Sequence, residues 1–272
     1  MSNKNDALGT RMKQYEYVTR NYLTRRMPVI IRLDGKAFHS FTRGLKKPFD
    51  RIFVKSMQDT MKHLCENIQG CVLGYTQSDE ITLVLVDYKS RESSAWFDNN
   101  IQKMASVSAS MATMAFNNNF MWNWEEENRF AYRPNGTQEE RDYANTLYEK
   151  LGKAMFDSRV FTVPKEEVVN TLIWRQQDCT RNSVQSVGQA YFSHKELHEK
   201  KQNDIQDMLM LERGINWNDY PTHLKRGSCC IKKPFVINEG TEQEAIRNKW
   251  VIDIEIPIFT QDKEYINKLV FV

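Results

Sequence analysis

Apolar and polar positions along the chain alternate between two periods, one of strands and one of helices. Residues 27–35 (MPVIIRLDG) follow a basic polar stretch and run through Val29, Ile30, Ile31 and Leu33 into Asp34-Gly35. This predicts a buried strand that ends in a carboxylate and a turn. From Pro48, which suits a first helical turn, Phe49, Ile52, Phe53, Met57, Met61 and Leu64 recur at helical spacing until Gly70. An amphipathic helix packing on that strand is expected. In residues 71–87 (CVLGYTQSDEITLVLVD) two apolar stretches flank Gln77-Ser78-Asp79-Glu80, the pattern of a hairpin with two acids at its tip. Helical period returns at Trp96, Phe97, Ile101, Met104, Ala105, Ser108, Met111, Ala112 and Ala115.

Periodicity then fades. Residues 117–136 are aromatic, polar and aperiodic, and read as a loop or insertion beside the core. Residues 159–163 read as a short strand, and Pro164 opens a helix through EEVVNTLIWRQQD whose acidic first turn suits the macrodipole. Residues 195–214 (KELHEKKQNDIQDMLMLERG) predict one charged helix ending at Gly214, and residues 228–237 and 250–259 predict strands. With no repeat or Gly/Ser linker, the expected division is a catalytic core over 1–165, with an insertion over 117–145, and a C-terminal part over 166–272 that completes the same body.

Composition adds few constraints. A hydrophobic fraction of 40% and a charged fraction of 27% suit a soluble globular protein. No apolar run approaches the roughly 20 residues of a membrane span, and the polar start lacks a signal-peptide core, so the cytoplasm is the expected location. Cys65, Cys71, Cys179, Cys229 and Cys230 form no C-x-x-C pair, which supports neither a zinc site nor a disulfide framework. The formal net charge of +3 leaves nucleic-acid binding open, because a mild balance can hide a local basic face.

The chemistry lies in the acids. Nucleotidyl transfer uses paired magnesium ions held by carboxylates that converge from separate strands. Asp34 ends one predicted strand, Asp79 sits at a hairpin tip, and Glu80 follows it. Neighbouring side chains of a strand point to opposite faces, which favours Asp79 over Glu80 as the ligand. Ordinary turn chemistry at Asp34-Gly35 and Ser78-Asp79 is the other reading of the same residues.

The words RLDGKAFHSF (32–41), KPFD (47–50), GYTQSDEIT (74–82) and WRQQDC (174–179) resemble the tRNA-His guanylyltransferase superfamily, over about residues 15–227. The resemblance implies an α+β fold: a polymerase- and cyclase-palm-like (ferredoxin-like) antiparallel sheet with helices on one face, plus a helical or irregular C-terminal extension. It implies template-dependent addition of nucleotides to the 5′ end of tRNA in the 3′-to-5′ direction, after activation of that end by ATP or GTP. Asp34, Asp79 and Glu80 become the catalytic acids, with Asp34, Asp79 and the Gly35 carbonyl holding two magnesium ions. Lys36, Ala37, Phe38, His39, Lys47, Asp50 and Ser78 fall where that family meets its nucleotide. His39 can instead be a packed residue and Lys47 a solvated charge.

After WRQQDC the eukaryotic enzymes continue His-Ile-Asn-Asn, whereas this chain has Thr180-Arg181-Asn182-Ser183. This resembles the Thg1-like proteins, which repair 5′-truncated tRNA by templated addition, and favours repair over obligate guanylate addition to tRNA-His. Candidate tRNA contacts are Trp174, Arg175, Arg181, Asn182, Lys225 and Arg226, with core packing the alternative for Trp174 and a solvated pair the alternative for Lys225-Arg226. The aromatic cluster Phe120, Trp122 and Trp124 suits a packed insertion or a subunit contact. The family resemblance also implies a homotetramer built as a dimer of dimers. A nucleotidyl cyclase on the same scaffold, and a non-catalytic RNA-binding module, are the competing readings.

Overall fold

The computed structural model describes residues 7–128, 136–237 and 245–271. Its centre is a six-stranded antiparallel sheet. The strands are β1 (Val29–Gly35), β2 (Cys71–Gln77), β3 (Glu80–Leu85), β4 (Phe156–Thr162), β5 (Ser228–Ile237) and β6 (Ala245–Asp253), in the order β4-β1-β3-β2-β5-β6. The C-terminal part therefore shares the sheet of the N-terminal part, through the pairing of β2 with β5.

Alternation along β1 explains why both faces of the sheet are covered. Val29, Ile31 and Leu33 join one core with Ile81, Leu83 and Leu85 of β3. Against it pack α3 (Arg51–Asn67) and α4 (Ile101–Asn128), through Ile52, Met57, Met61, Leu64, Met104 and Phe116. Phe38, from the one-turn α2 (Phe38–Phe41), stacks on Phe41 and meets the rings of Phe53, Phe116 and Phe156. Ile30, Leu73, Tyr75 and Val84 point the other way. They are covered by Val168, Val169 and Leu172 of α6 (Lys165–Tyr191), by Phe259, and by Ile266 and Val270 of α10 (Glu264–Val270). Helices thus cover both faces, not one, because this second apolar face has side chains worth roughly 1.5–3 kcal/mol each when buried. The far half of α6 packs Val184 and Val187 on Ile205 and Leu209 of α8 (Gln202–Arg213) and on Trp217. Gly188 permits this approach, since a Cβ there would lie 2.8 Å from Ile205.

Several boundaries differ from the sequence expectation. Helix α3 begins at Arg51, not at Pro48, because the Asp50 carboxylate caps it: Oδ1 accepts from the Phe53 N–H and Oδ2 from the Lys46 N–H, both at 3.0 Å. The stretch 117–128 is not a loop but the continuation of α4. Inward-turned asparagines hid its period: the half-buried Asn117 donates to the Thr113 and Ala154 carbonyls, and Asn123, 3% exposed, donates to Ser56 Oγ. Of the expected insertion, residues 129–135 lie outside the described residues. Residues 138–148 form α5 (Gln138–Tyr148), opened by the Thr137/Glu140 capping box.

The single charged helix over 195–214 is two, α7 (His194–Leu197) and α8, since the polar run 198–204 has no apolar side chain to bury. Strand β6 stops at Asp253 rather than continuing to Phe259. There the Gln176 side chain replaces a strand neighbour, donating to the Pro257 carbonyl and accepting from the Phe259 N–H, each at 2.9 Å. Helices without a sequence expectation include α1 (Ala7–Tyr17), none of whose residues is buried, the short α2 and α9 (Thr222–Arg226), and α10. The five cysteines are free thiols, all buried. No helix among the described residues is long and apolar enough to cross a membrane.

Candidate active site

Strand register assembles the site. Asp34 stands opposite Glu80 on β3 and opposite Asp157 on β4, and Glu80 stands opposite Gln77 on β2. Directly opposed residues of antiparallel strands share a face, so three carboxylates form one row on the α6 side of the sheet. One step back the row reads Arg159, Arg32, Thr82 and Tyr75. Asp79 lies just beyond, in the two-residue turn between β2 and β3, where Ser78 holds a left-handed φ of 48°. The turn is pinned to the end of β1, because the Gly35 N–H donates to the Asp79 carbonyl at 3.1 Å. That bond brings the two acids separated by 45 residues of sequence (34 to 79) into electrostatic contact.

The acids differ in how they are compensated. Glu80 is tied down: Arg175 Nη1 lies 2.5 Å from its Oε2, Gln77 donates to the same oxygen at 2.9 Å, and Arg32 Nε is 4.0 Å from Oε1. Among the described residues, Asp34 and Asp79 have no such counter-charge in contact. Burial raises the Asp34 carboxyl above its ordinary value, with Glu80 and Asp157 adding to the rise and Arg159 and Arg32 opposing it. Burial also pushes Asp79 up to about 6, aided by Asp34 and Glu80 and opposed by its own N–H and the Ser78 hydroxyl. Two hard oxygen donors that repel each other suit a divalent cation. Among the described residues no cluster of three or more His, Cys, Asp or Glu side chains surrounds a metal position. Magnesium commonly takes only one or two carboxylates and completes its shell with phosphate and water, so this pair fits it.

The raised Asp79 carboxyl has a measurable consequence. An acid whose folded pKa exceeds its unfolded one stabilises the fold below the unfolded value of 3.8, and this contribution is lost as pH rises through about 6. Above pH 6 the buried charge costs about 3 kcal/mol. In chelator, Asp79→Asn is therefore expected to unfold at higher denaturant than the parent at pH 7.5 and at nearly the same denaturant at pH 4. Magnesium should shrink the difference at pH 7.5. An equal offset at both pH values would contradict the electrostatic account.

Beside the hairpin tip opens a cavity of about 260 Å³, lined from α3 and the segment before it by Lys47, Asp50 and Gln58, from the hairpin by Gln77 and Ser78, and from α6 by Asn182. It gathers three of the expected nucleotide residues. Lys47 is exposed at its edge, whereas Asp50 is 4% exposed and already occupied as the α3 cap and as acceptor of the Tyr143 hydroxyl. Residues 36–39 do not line it. Lys36 and Ala37 are exposed at the end of β1, and Phe38 is buried in the aromatic core, so only its backbone can meet a ligand. His39 is exposed, not packed, with Nε2 3.1 Å from Ser40 Oγ. The helical turn at 38–41 leaves its first N–H groups without intrahelical partners, as at any helix start.

The candidate tRNA residues divide. Trp174 is 48% exposed, and Arg181 and Asn182 are exposed beside Asp178. Arg175 is turned inward: its side chain is 6% exposed and held by Glu80 and Asp178. Lys225 is also inward, buried against the Trp217 ring with its ammonium on the Asn218 carbonyl at 2.5 Å. Both long side chains are turned toward buried acceptors of the protein. Arg226 is half-buried and lends its carbonyl to the Tyr75 hydroxyl at 2.7 Å. Sequence reasoning gave no separate role to Arg32, Asp157 or Arg159, which strand pairing brings beside the acids.

Comparison with known proteins agrees with this architecture. The family model described as tRNAHis guanylyltransferase (Thg1) matches residues 9–164. The chain is 27% identical over 260 residues to an uncharacterized protein of Acanthamoeba polyphaga mimivirus, covering 91% of this chain and 84% of that protein. It is 25% identical over 236 residues to the tRNA(His) guanylyltransferase of Schizosaccharomyces pombe, covering 82% and 79%. Among solved structures, a bacterial tRNA(His) guanylyltransferase-like protein in complex with ATP superposes with a TM-score of 0.80 at 41% identity, over 97% of this chain and 99% of that one. The fold extends to the Saccharomyces cerevisiae tRNA(His) guanylyltransferase, at a TM-score of 0.62 and 22% identity over 92% and 98% of the two chains. From residues 9–164 in sequence and over nearly its whole length in structure, the chain belongs to the tRNAHis guanylyltransferase family of nucleotidyltransferases.

Proposed function

We propose that the protein adds nucleotides to the 5′ end of tRNA in the 3′-to-5′ direction, filling truncated ends by templated addition and accepting guanylate as one such nucleotide. The observation that carries this reading is the pair Asp34 and Asp79, two carboxylates with no cation in contact among the described residues, beside the cavity lined by Lys47 and Ser78. Bound magnesium would supply charge neutralisation at the triphosphate and at the attacking oxygen. The chain's own residues would do the rest. Asp34, Asp79 and the Gly35 carbonyl hold the cations, and Lys47 and Ser78 take phosphate oxygens. Glu80 keeps the acidic row in place against Arg175. The antiparallel sheet with its strand-end acids corresponds to a polymerase-like palm, with residues 1–165 as the catalytic part and 166–272 completing the body.

ATP, GTP and other nucleoside triphosphates are the small substrates of this reading, and solved relatives hold ATP and GTP. A cytoplasmic homotetramer, arranged as a dimer of dimers, suits a long RNA substrate, and α1 with Leu8, Met12 and Tyr15 exposed offers a surface for such contacts.

The test uses labelled nucleotides, magnesium and ATP with two RNAs, a tRNA lacking its first 5′ nucleotide and an intact tRNA-His. Template-matched filling of the truncated tRNA is expected. Guanylate addition confined to tRNA-His would replace repair by obligate addition. Absence of incorporation with both would sink the transferase reading and revive a cyclase or an RNA-binding module.

A further inference from the structure

The arginine row behind the carboxylates has no place in the chemistry above. Arg32 and Arg159 face each other across β1 and β4. Like charges directly opposed across a strand pair are destabilising unless something else uses them. Their partners in the protein are weak: Arg159 Nε is 3.7 Å from the exposed Asp157 carboxylate, and Arg32 Nε is buried without a hydrogen bond, 4.0 Å from Glu80. Exposed pairs of the Asp157–Arg159 kind contribute little to folding. Above Arg32, on α6, the half-exposed Trp174 ring lies 5.7 Å from the Arg32 guanidinium and 3.8 Å from that of Arg175. The opposed Arg32 and Arg159, with an accessible indole beside Arg32 and one register step from the reacting carboxylates, suit a nucleotide at the end of an RNA strand, which offers both a phosphate and an unpaired face.

We propose that Arg159 and Arg32 hold the 5′-terminal phosphate of the RNA while Trp174 stacks on the terminal base, presenting that end to Asp34 and Asp79. This rests on the reading of tRNA as substrate and adds where its 5′ end lies. The Asp34 row then sits between this cradle and the cavity beside Ser78, so the RNA end and the incoming nucleotide approach the acids from opposite sides.

The test is fluorescence anisotropy of the full chain with a 5′-truncated tRNA carrying either a 5′-monophosphate or a 5′-hydroxyl, with magnesium present and nucleoside triphosphate omitted. The parent protein is expected to bind the monophosphate form about tenfold more tightly, the value of a charge-assisted contact. Arg159→Gln should erase that preference and leave the 5′-hydroxyl RNA bound as before. Trp174→Ala should weaken both RNAs by about tenfold, and Trp174→Phe should recover most of the loss, as stacking requires. ATP affinity should not move in any of these variants. A preference retained in Arg159→Gln, or Trp174→Ala binding both RNAs as the parent does, overturns the proposal while leaving tRNA as substrate. Absence of tRNA binding by the parent protein overturns both.

Discussion

Asp34→Asn and Asp79→Asn are each expected to lower nucleotide incorporation on the order of a thousandfold or more, since a metal centre is worth several kcal/mol of transition-state stabilisation and each 1.36 kcal/mol is tenfold in rate. Asparagine keeps the shape and one oxygen of the side chain and removes the charge. Asp34 sits within the row of Asp157 and Glu80, and Asp79 stands at the hairpin tip joined to Gly35. Among the described residues neither side chain supports the fold through an ion pair, and both are penalised by burial and by neighbouring acids. The variants should therefore fold and bind tRNA in chelator as the parent does. The measurement is single-turnover incorporation of labelled nucleotide into truncated tRNA at saturating magnesium. Activity within tenfold of the parent in either variant would remove that aspartate from the metal centre.

What the sequence could disclose followed from how locally each feature is encoded. β1 and the β2–β3 hairpin were legible because β-branched runs end in turn residues, and the acids at their ends came with them. The continuation of α4 beyond residue 116 was not, because Asn117 and Asn123 occupy inward positions and are satisfied by Thr113 and Ala154 and by Lys55, Ser56 and Asp59, which lie on other turns or elements. The start of α3 was misplaced for a related reason: the Pro48 signal is local, and the Asp50 cap competes with it. The second covered face of the sheet required knowing that α6 and α10 pack on β2 and β3, which lie far back along the chain, a distance no periodicity spans.

At the site, the strand-end acids were visible, but the direction of a long cation was not. Arg175 and Arg181 sit on the same helix, six residues apart (175 to 181), and both resemble surface arginines in sequence. Only the approach of β3 to α6 decides that one neutralises Glu80 and the other stays in solvent. Arg32, Asp157 and Arg159 went unread because an isolated charge in a short strand looks solvated until its cross-strand neighbours are known.

Arg175→Met is expected to destabilise the protein by about 3 kcal/mol, the scale seen when one member of a buried pair is removed. Arg175 is 6% exposed in its side chain, lies 2.5 Å from Glu80 and 3.4 Å from Asp178, and covers the Trp174 ring. Methionine fills much of the same volume, so the loss is chiefly that of charge. Asp178 keeps Arg181 at 2.8 Å, whereas Glu80, 14% exposed, is left with Gln77 and a distant Arg32. Adding Glu80→Gln to Arg175→Met should then restore a large part of the lost stability, because the uncompensated charge is gone. Urea denaturation of the parent, the two single variants and the double variant measures this coupling; additive effects would show that Arg175 does not serve Glu80. The double variant also separates two roles of Glu80. If its negative charge acts only by holding the row in place, the stable double variant transfers nucleotide; if that charge is used at the metal centre, the double variant folds and remains inactive.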